Sequence, residues 1–73
     1  MSKLPVVAPK KLVKILRKLG FEHMHGKGSH VFLVHPDGRK TVVAMHRREI
    51  PKGTLFSILD DISITKEQLA GLI

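Results

Sequence analysis

Residues 30–45 read HVFLVHPDGRKTVVAM, and this stretch decides the fold. Two runs rich in β-branched and aromatic residues, His30–His35 and Thr41–Met45, flank the pentapeptide His35-Pro36-Asp37-Gly38-Arg39. Such runs are typical of strands, and proline with glycine supplies the backbone angles of a tight turn. The stretch therefore predicts two antiparallel strands joined by a hairpin turn.

A helix is predicted upstream of these strands, between Pro9 and Gly20. Proline suits the first turn of a helix, and glycine suits the exit. Apolar residues recur at helical spacing and define one face, which consists of Leu12, Val13, Ile15, Leu16 and Leu19. The other face carries five cations, Lys10, Lys11, Lys14, Arg17 and Lys18. A stripe of this kind is a solvated face in most helices, and contact with nucleic acid is the alternative.

The remaining elements follow from shorter patterns. Phe21–His25 predicts a brief first strand, which ends at a turn marked by Gly26 and Gly28. Ile50-Pro51 opens a second helix with Leu55, Phe56, Ile58, Leu59 and Ile62 on its apolar face. Thr65-Lys66-Glu67-Gln68 resembles a capping box and predicts a short final helix containing Leu69, Leu72 and Ile73. All three phenylalanines, Phe21, Phe32 and Phe56, are expected in the core.

The predicted fold class is α+β, with the order α-β-β-β-α and a short extra C-terminal helix. Its three-stranded antiparallel sheet needs a helical cover on one face, and the order is that of double-stranded-RNA-binding domains. Residues 1–8 are predicted to form a short extended lead, and residues 9–73 a single domain. Alternate residues of a strand point to opposite faces of the sheet, and in Val31–Val34 the residues of both sets are apolar. The second sheet face is therefore expected to be covered as well. A partner or a second copy is one candidate, and a loop or the N-terminal Leu4–Val7 segment is the other.

Charge and composition limit the kinds of partner and chemistry that this chain can have. The 73 residues suit one domain with a small core, and the formal net charge of +7 implies a polyanionic partner, either nucleic acid or an acidic protein. The absence of cysteine excludes disulfides and thiolate chemistry. The apolar runs are too short for a membrane span or a signal peptide, so a cytoplasmic protein without a membrane partner is expected.

His30 is the candidate for chemistry. Cutting RNA without a metal requires a base for the 2′-hydroxyl, an acid for the leaving oxygen and positive charge near the phosphate. An imidazole can serve in either proton role near neutral pH. His30 directly follows the basic turn Lys27-Gly28-Ser29, and Arg47 and Arg48 lie in the loop after the third strand. His46, Lys27 and water remain open as the source of the second proton transfer.

Two other interpretations compete with catalysis. Five histidines suggest metal binding, and His23 with His25 would share a strand face, but no recognisable zinc spacing occurs. A passive RNA-binding module would use Lys10, Lys14 and Arg17 together with the cations of the 47–52 loop as phosphate contacts. Without Trp or Tyr, such a module has few aromatic side chains for base stacking.

Several short motifs together resemble the HicA (YcfA-like) toxin family, from about Lys10 to Leu72. They are Leu16–Phe21, Gly28-Ser29-His30, His35–Arg39, Met45-His46, Ile50–Leu55 and Ile58-Leu59. Each motif is short, but their order and spacing together are specific. This chain departs from the pattern at Ala44, where many members carry a proline two residues before the loop histidine.

The resemblance implies a double-stranded-RNA-binding-like fold and the toxin of a type II toxin–antitoxin system. Such a toxin is an mRNA interferase, an endoribonuclease that would act here on single-stranded or translated mRNA. It implies that His30 is the residue needed for activity, and that a HicB-like antitoxin covers His30 and the exposed sheet face. We therefore predict metal-independent cleavage with His30 catalytic and no cofactor. The predicted RNA-binding residues are Lys27, Ser29, His46, Arg47, Arg48 and Lys52, and a non-catalytic RNA-binding module is the alternative.

Overall fold

The protein is described by a computed structural model that covers residues 4–73. The elements are α1 (Pro9–Lys18), β1 (Glu22–Met24), β2 (His30–Val34), β3 (Lys40–Ala44), α2 (Lys52–Ile62) and α3 (Lys66–Leu72). The three strands form one antiparallel sheet in the order β1-β2-β3. The predicted α+β class and element order are confirmed. Residues 1–3 of the predicted lead lie outside the described residues, and the division into lead and domain stays a prediction.

The hairpin forms with β3 one residue earlier than predicted. Pairing runs from His30 with Ala44 to Val34 with Lys40. His35 belongs to the turn, since its N–H donates to the Arg39 carbonyl at 2.8 Å. Because the turn is centred on Asp37, Lys40 is already a strand residue and Met45 lies beyond the strand.

The first strand is shorter than the predicted range Phe21–His25. The Phe21 N–H donates to the Leu16 carbonyl at 3.0 Å, so Phe21 completes the exit from α1 and does not pair in the sheet. Gly20 makes that exit possible with a φ of +100°. Only Glu22–Met24 remains to pair with β2.

The helices begin and end close to their predicted bounds. Pro9 occupies the first turn of α1, and Leu12, Val13, Ile15 and Leu16 are buried as predicted. In α3 the capping box is confirmed: Thr65 Oγ1 accepts from the Gln68 N–H at 3.1 Å, and Gln68 Oε1 accepts from the Thr65 N–H at 2.8 Å. Within α3 only Leu69 is buried, whereas Leu72 and the terminal Ile73 are exposed.

The core lies between the helices and one face of the sheet. Phe21 is 3% exposed, as predicted, but Phe32 is 44% exposed and Phe56 is 52% exposed, so those two core predictions are wrong. In β2 the neighbouring Leu33 points to the helices, and strand alternation then directs Phe32 to the other side. In α2 the buried face is formed by Leu55, Ile58, Leu59 and Ile62, which leaves position 56 outside it.

The second face of the sheet is uncovered by the described residues. Met24, Phe32, Val34 and Val42 all remain exposed there, and we call this surface the open face. Met24 pairs with Phe32 and Phe32 pairs with Val42, so they form one row across the sheet. Val7 is instead buried in the core, where its carbonyl accepts from the Ile50 N–H at 3.0 Å. The Leu4–Val7 segment therefore leaves the open face free for a partner.

The Arg39 side chain ties the hairpin to the helical layer. Its Nη1 donates to the Ile62 carbonyl at 2.6 Å, at the end of α2, and its Nε donates to Asp37 Oδ2 at 2.8 Å. The guanidinium also lies 5.2 Å from the centroid of the Phe21 ring. The Arg39 backbone N–H, followed by its side chain, lowers the pKa of Asp37 below its usual 3.8. The His-Pro-Asp-Gly-Arg motif is thus a structural anchor.

Candidate active site

His30 is the first residue of β2 and is exposed at the end of the open face. The preceding loop turns back tightly, because the His30 N–H donates to the Lys27 carbonyl at 3.1 Å. Glycine is required at two positions of this loop. A Cβ at Gly26 would lie 1.9 Å from the His30 carbonyl oxygen, and Gly28 has a φ of +60°.

The hairpin register brings the loop after β3 against the loop before β2. The Met45 N–H donates to the Ser29 carbonyl at 2.7 Å, which continues the β2–β3 pairing by one residue. Ser29 Oγ then lies 2.9 Å from His46 Nδ1. The ring centroids of His30 and His46 are 6.4 Å apart, with the rings inclined at 63°.

A small pocket of about 180 Å³ is lined by both of these histidines. Its polar side chains include those of His30, His46 and Arg47, and Ile50 with Ile58 forms part of its apolar wall. Two imidazoles can accept and donate a proton, and a guanidinium supplies positive charge and directed donors for an oxyanion. The pocket therefore combines the groups that phosphodiester cleavage requires.

The predicted site residues divide into two sets. His30, Ser29, His46 and Arg47 come together at or beside the pocket. Lys27, Arg48 and Lys52 are exposed and lie outside its lining. Their predicted contacts with RNA stay predictions, as do the roles of the first set.

Sequence reasoning missed two parts of this arrangement. The apolar wall from the start of α2 was not anticipated, and Ser29 was predicted to contact phosphate, whereas here its hydroxyl bonds to His46. A signal for the second part was present. A turn centred on Asp37 pairs Ala44 with His30, which places Met45 and His46 opposite Ser29.

The other histidines, His23, His25 and His35, are not among the residues that line the pocket. His23 lies in β1, and His35 packs edge-on against Phe21 with centroids 5.0 Å apart. The His35 Nδ1 also accepts from the Asp37 N–H at 3.1 Å, so this ring belongs to the hairpin turn. Within residues 4–73, no three histidine or acidic side chains are grouped so as to hold a metal ion.

Comparison with protein families identifies the chain. The family model described as HicA toxin of bacterial toxin-antitoxin matches residues 9–64, well over half of the 73 residues. The chain belongs to the HicA toxin family. The match runs from α1 through the end of α2 and includes both histidines of the pocket, whereas α3 lies beyond it.

Membership of the HicA family confirms the resemblance inferred from the motifs and makes this chain the toxin type of a toxin–antitoxin system. A comparison with curated proteins found no match. Among the described residues, none of the helices is both long and apolar enough to cross a membrane.

Proposed function

We propose that this HicA-family chain is an endoribonuclease that cleaves mRNA in the cytoplasm, with His30 as a general acid or base and without a metal or cofactor. One observation carries the proposal: an exposed His30 shares a small pocket with His46 and Arg47. Exposure leaves the imidazole accessible to an RNA strand. A positioned histidine accelerates proton transfer by about 10²–10⁴-fold.

The charge of the chain supports RNA as the substrate. Thirteen Lys and Arg residues oppose six acids. Lys27 and Arg48 are exposed in the loops on either side of the pocket, and Lys52 is exposed at the start of α2. We infer that these side chains hold the phosphates that flank the cleaved bond, while Arg47 contacts the reacting phosphate. Such contacts give affinity with little sequence preference.

The antitoxin is proposed to dock on the open face. A groove of about 490 Å³ runs between the sheet and α2 and is lined by Phe32, Val34 and Val42 together with polar residues of α2. Thr54 and Ile58 line both this groove and the His30 pocket, so the two form one continuous surface. A HicB-like partner with an apolar insert and an acidic surface would fill the groove and cover His30.

RNA digestion in excess EDTA tests the enzymatic proposal. Wild type and His30→Ala are compared with His23→Ala, which removes an exposed histidine from β1 outside the pocket, and circular dichroism checks the fold of each. We expect wild type and His23→Ala to cleave equally, and His30→Ala to lose about 10²-fold or more.

Equal cleavage by wild type and His30→Ala would refute His30 as the catalyst. Binding without cleavage by any of the three proteins would favour the non-catalytic RNA-binding module. The exposed cations of the 27–52 region support binding in either case. The affinity measurement on the same samples separates the two functions.

A further inference from the structure

We propose that His46 is the second proton-transfer group of this cleavage and that Ser29 positions it. This inference rests on the proposed function and adds a second catalytic residue to the same site. Its basis is the contact of Ser29 Oγ with His46 Nδ1 at 2.9 Å and the 6.4 Å separation of the His30 and His46 rings.

The two rings are close enough for one phosphoryl group to contact both. In a straight line between the rings, a phosphate would need about 2.8 Å for each hydrogen bond in addition to its own width, which exceeds the 6.4 Å between the ring centroids. The phosphate is therefore placed in the pocket in front of both imidazoles, and rings much farther apart could not both reach it. Because Ser29 engages Nδ1 of His46, Nε2 is the nitrogen available to the substrate.

The two imidazoles together complete a balanced reaction. The neutral imidazole takes the 2′-hydroxyl proton as the O2′–P bond forms. The protonated imidazole donates its proton to the 5′-oxygen as the P–O5′ bond breaks, which yields a 2′,3′-cyclic phosphate and a 5′-hydroxyl. The histidines finish with exchanged protonation states, and proton exchange with water restores the first arrangement.

Ser29 is well suited to hold a ring that changes protonation. A hydroxyl is both a donor and an acceptor. Because the proton that moves in the reaction is on Nε2, Nδ1 keeps its proton throughout, and Ser29 Oγ can accept from it in both protonation states of the ring. The backbone of Ser29 also bonds to Met45 at 2.7 Å, so one residue fixes both the main chain before His46 and the His46 ring.

The other side chain left open as the second group, Lys27, is less well placed. Lys27 is exposed and its side chain is outside the pocket lining, whereas the His46 side chain is part of that lining. Arg47 also lines the pocket, but a guanidinium stays protonated and cannot exchange protons in the reaction. The geometry thus favours His46 among the titratable side chains.

A leaving-group experiment tests the pair. Two short RNAs are compared: one carries the ordinary 5′-oxygen at a single cleavable bond, and the other a bridging sulfur, which departs as a thiolate without protonation. The variants are His30→Ala, His46→Ala and His46→Asn, whose amide can still bond to Ser29. Ser29→Ala and Ser29→Thr test the positioning role, and His25→Ala is the control. Affinity for a 2′-O-methyl analogue reports binding alone.

We expect the His30 and His46 variants each to lose about 10²–10⁴-fold on the oxygen RNA, with affinity retained within a few-fold. The variant that lacks the acid regains most of its rate on the sulfur RNA, and the variant that lacks the base stays slow. Ser29→Ala should lose about tenfold on the oxygen RNA, Ser29→Thr should recover most of it, and His25→Ala should match wild type.

Failure of this inference is distinguishable from failure of the proposed function. If wild type cleaves neither RNA, the proposed function is wrong, and the proposed pair of proton-transfer histidines is wrong as well. If His30→Ala is inactive while both His46 variants cleave like wild type, the catalytic role of His30 is retained and the proton-transfer role of His46 is refuted. Equal losses on both RNAs in the His30 and His46 variants, with no selective recovery on sulfur, would also refute His46 as a proton-transfer group.

Discussion

At Gly26 the chain passes too close to β2 for any side chain. A Cβ there would overlap the His30 carbonyl oxygen, a backbone atom that cannot move without displacing the start of β2. Gly53, in the first turn of α2, has open space around the same position. The two glycines therefore serve different purposes, and only the first determines where His30 lies.

Gly26→Ala should accordingly displace the loop that carries Ser29 and His30. We expect it to lower the free energy of unfolding by about 1–3 kcal/mol, as overpacking does, and to reduce RNA cleavage at least tenfold. Gly53→Ala should leave both properties unchanged or raise stability slightly. Urea unfolding and cleavage assays check this, and a Gly26→Ala protein as stable and active as wild type would contradict it.

At the scale of elements, the hairpin turn and the end of α2 form one unit through Arg39. The guanidinium satisfies the Ile62 carbonyl, pairs with Asp37 and lies over the Phe21 ring. A cation at a helix C-terminus is favourable, and hydrogen bonds to charged groups are stronger than neutral ones. This one side chain thus connects the hairpin turn, the end of α2 and Phe21, which completes the exit from α1.

Arg39→Ala should therefore lower the free energy of unfolding by about 1.5–3 kcal/mol. The matched control is Lys40→Ala, which removes a cation from the next position, where the side chain is exposed. Its effect should stay within about 0.5 kcal/mol. Both are measured by urea unfolding, and equal losses in the two variants would show that charge alone, and not the Arg39 contacts, stabilises the hairpin.

Local signals predicted most of these elements. The capping box at Thr65, the helix between Pro9 and Gly20 and the hairpin all depend on residues close together in sequence. The exposure of Phe32 and Phe56 could not be predicted in this way, because it depends on which face of β2 or α2 meets the rest of the molecule. The Ser29–His46 contact joins residues far apart in sequence, but it could still be predicted in part, because the register of the hairpin determines which residues lie opposite each other.

At the scale of the whole molecule, the cations of α1 and those near the His30 pocket lie on opposite sides of the sheet. α1 packs through Leu12 and Leu16 onto the sheet face that carries Leu33, so its basic stripe points away from the sheet on that side. His30 shares the parity of Phe32 and lies on the opposite face, near Arg47. Under the proposed function, a short RNA bound at the pocket meets the loop of residues 45–51 and not α1, which favours a solvated role for the stripe.

We expect this separation to appear in the salt dependence of RNA affinity. For a 2′-O-methyl tetranucleotide, the double variant Arg47→Gln/Arg48→Gln should bind several-fold more weakly. Its slope of log affinity against log salt should be shallower by about 0.7 for each lost phosphate contact. The control Lys14→Gln/Lys18→Gln removes the same charge from α1 and should change neither. Equal effects of the two variants would place α1 in the RNA site.

The shared wall formed by Thr54 and Ile58 has a consequence for the cell. Because these two residues border both the groove and the His30 pocket, a protein that fills the groove and extends past them would exclude RNA from the pocket under the proposed function. Inhibition under the proposed function then depends on the relative numbers of toxin and antitoxin molecules. With tight one-to-one binding, RNA decay would begin only when toxin molecules outnumber antitoxin molecules, so a small change in the synthesis or degradation of either would switch cleavage on abruptly.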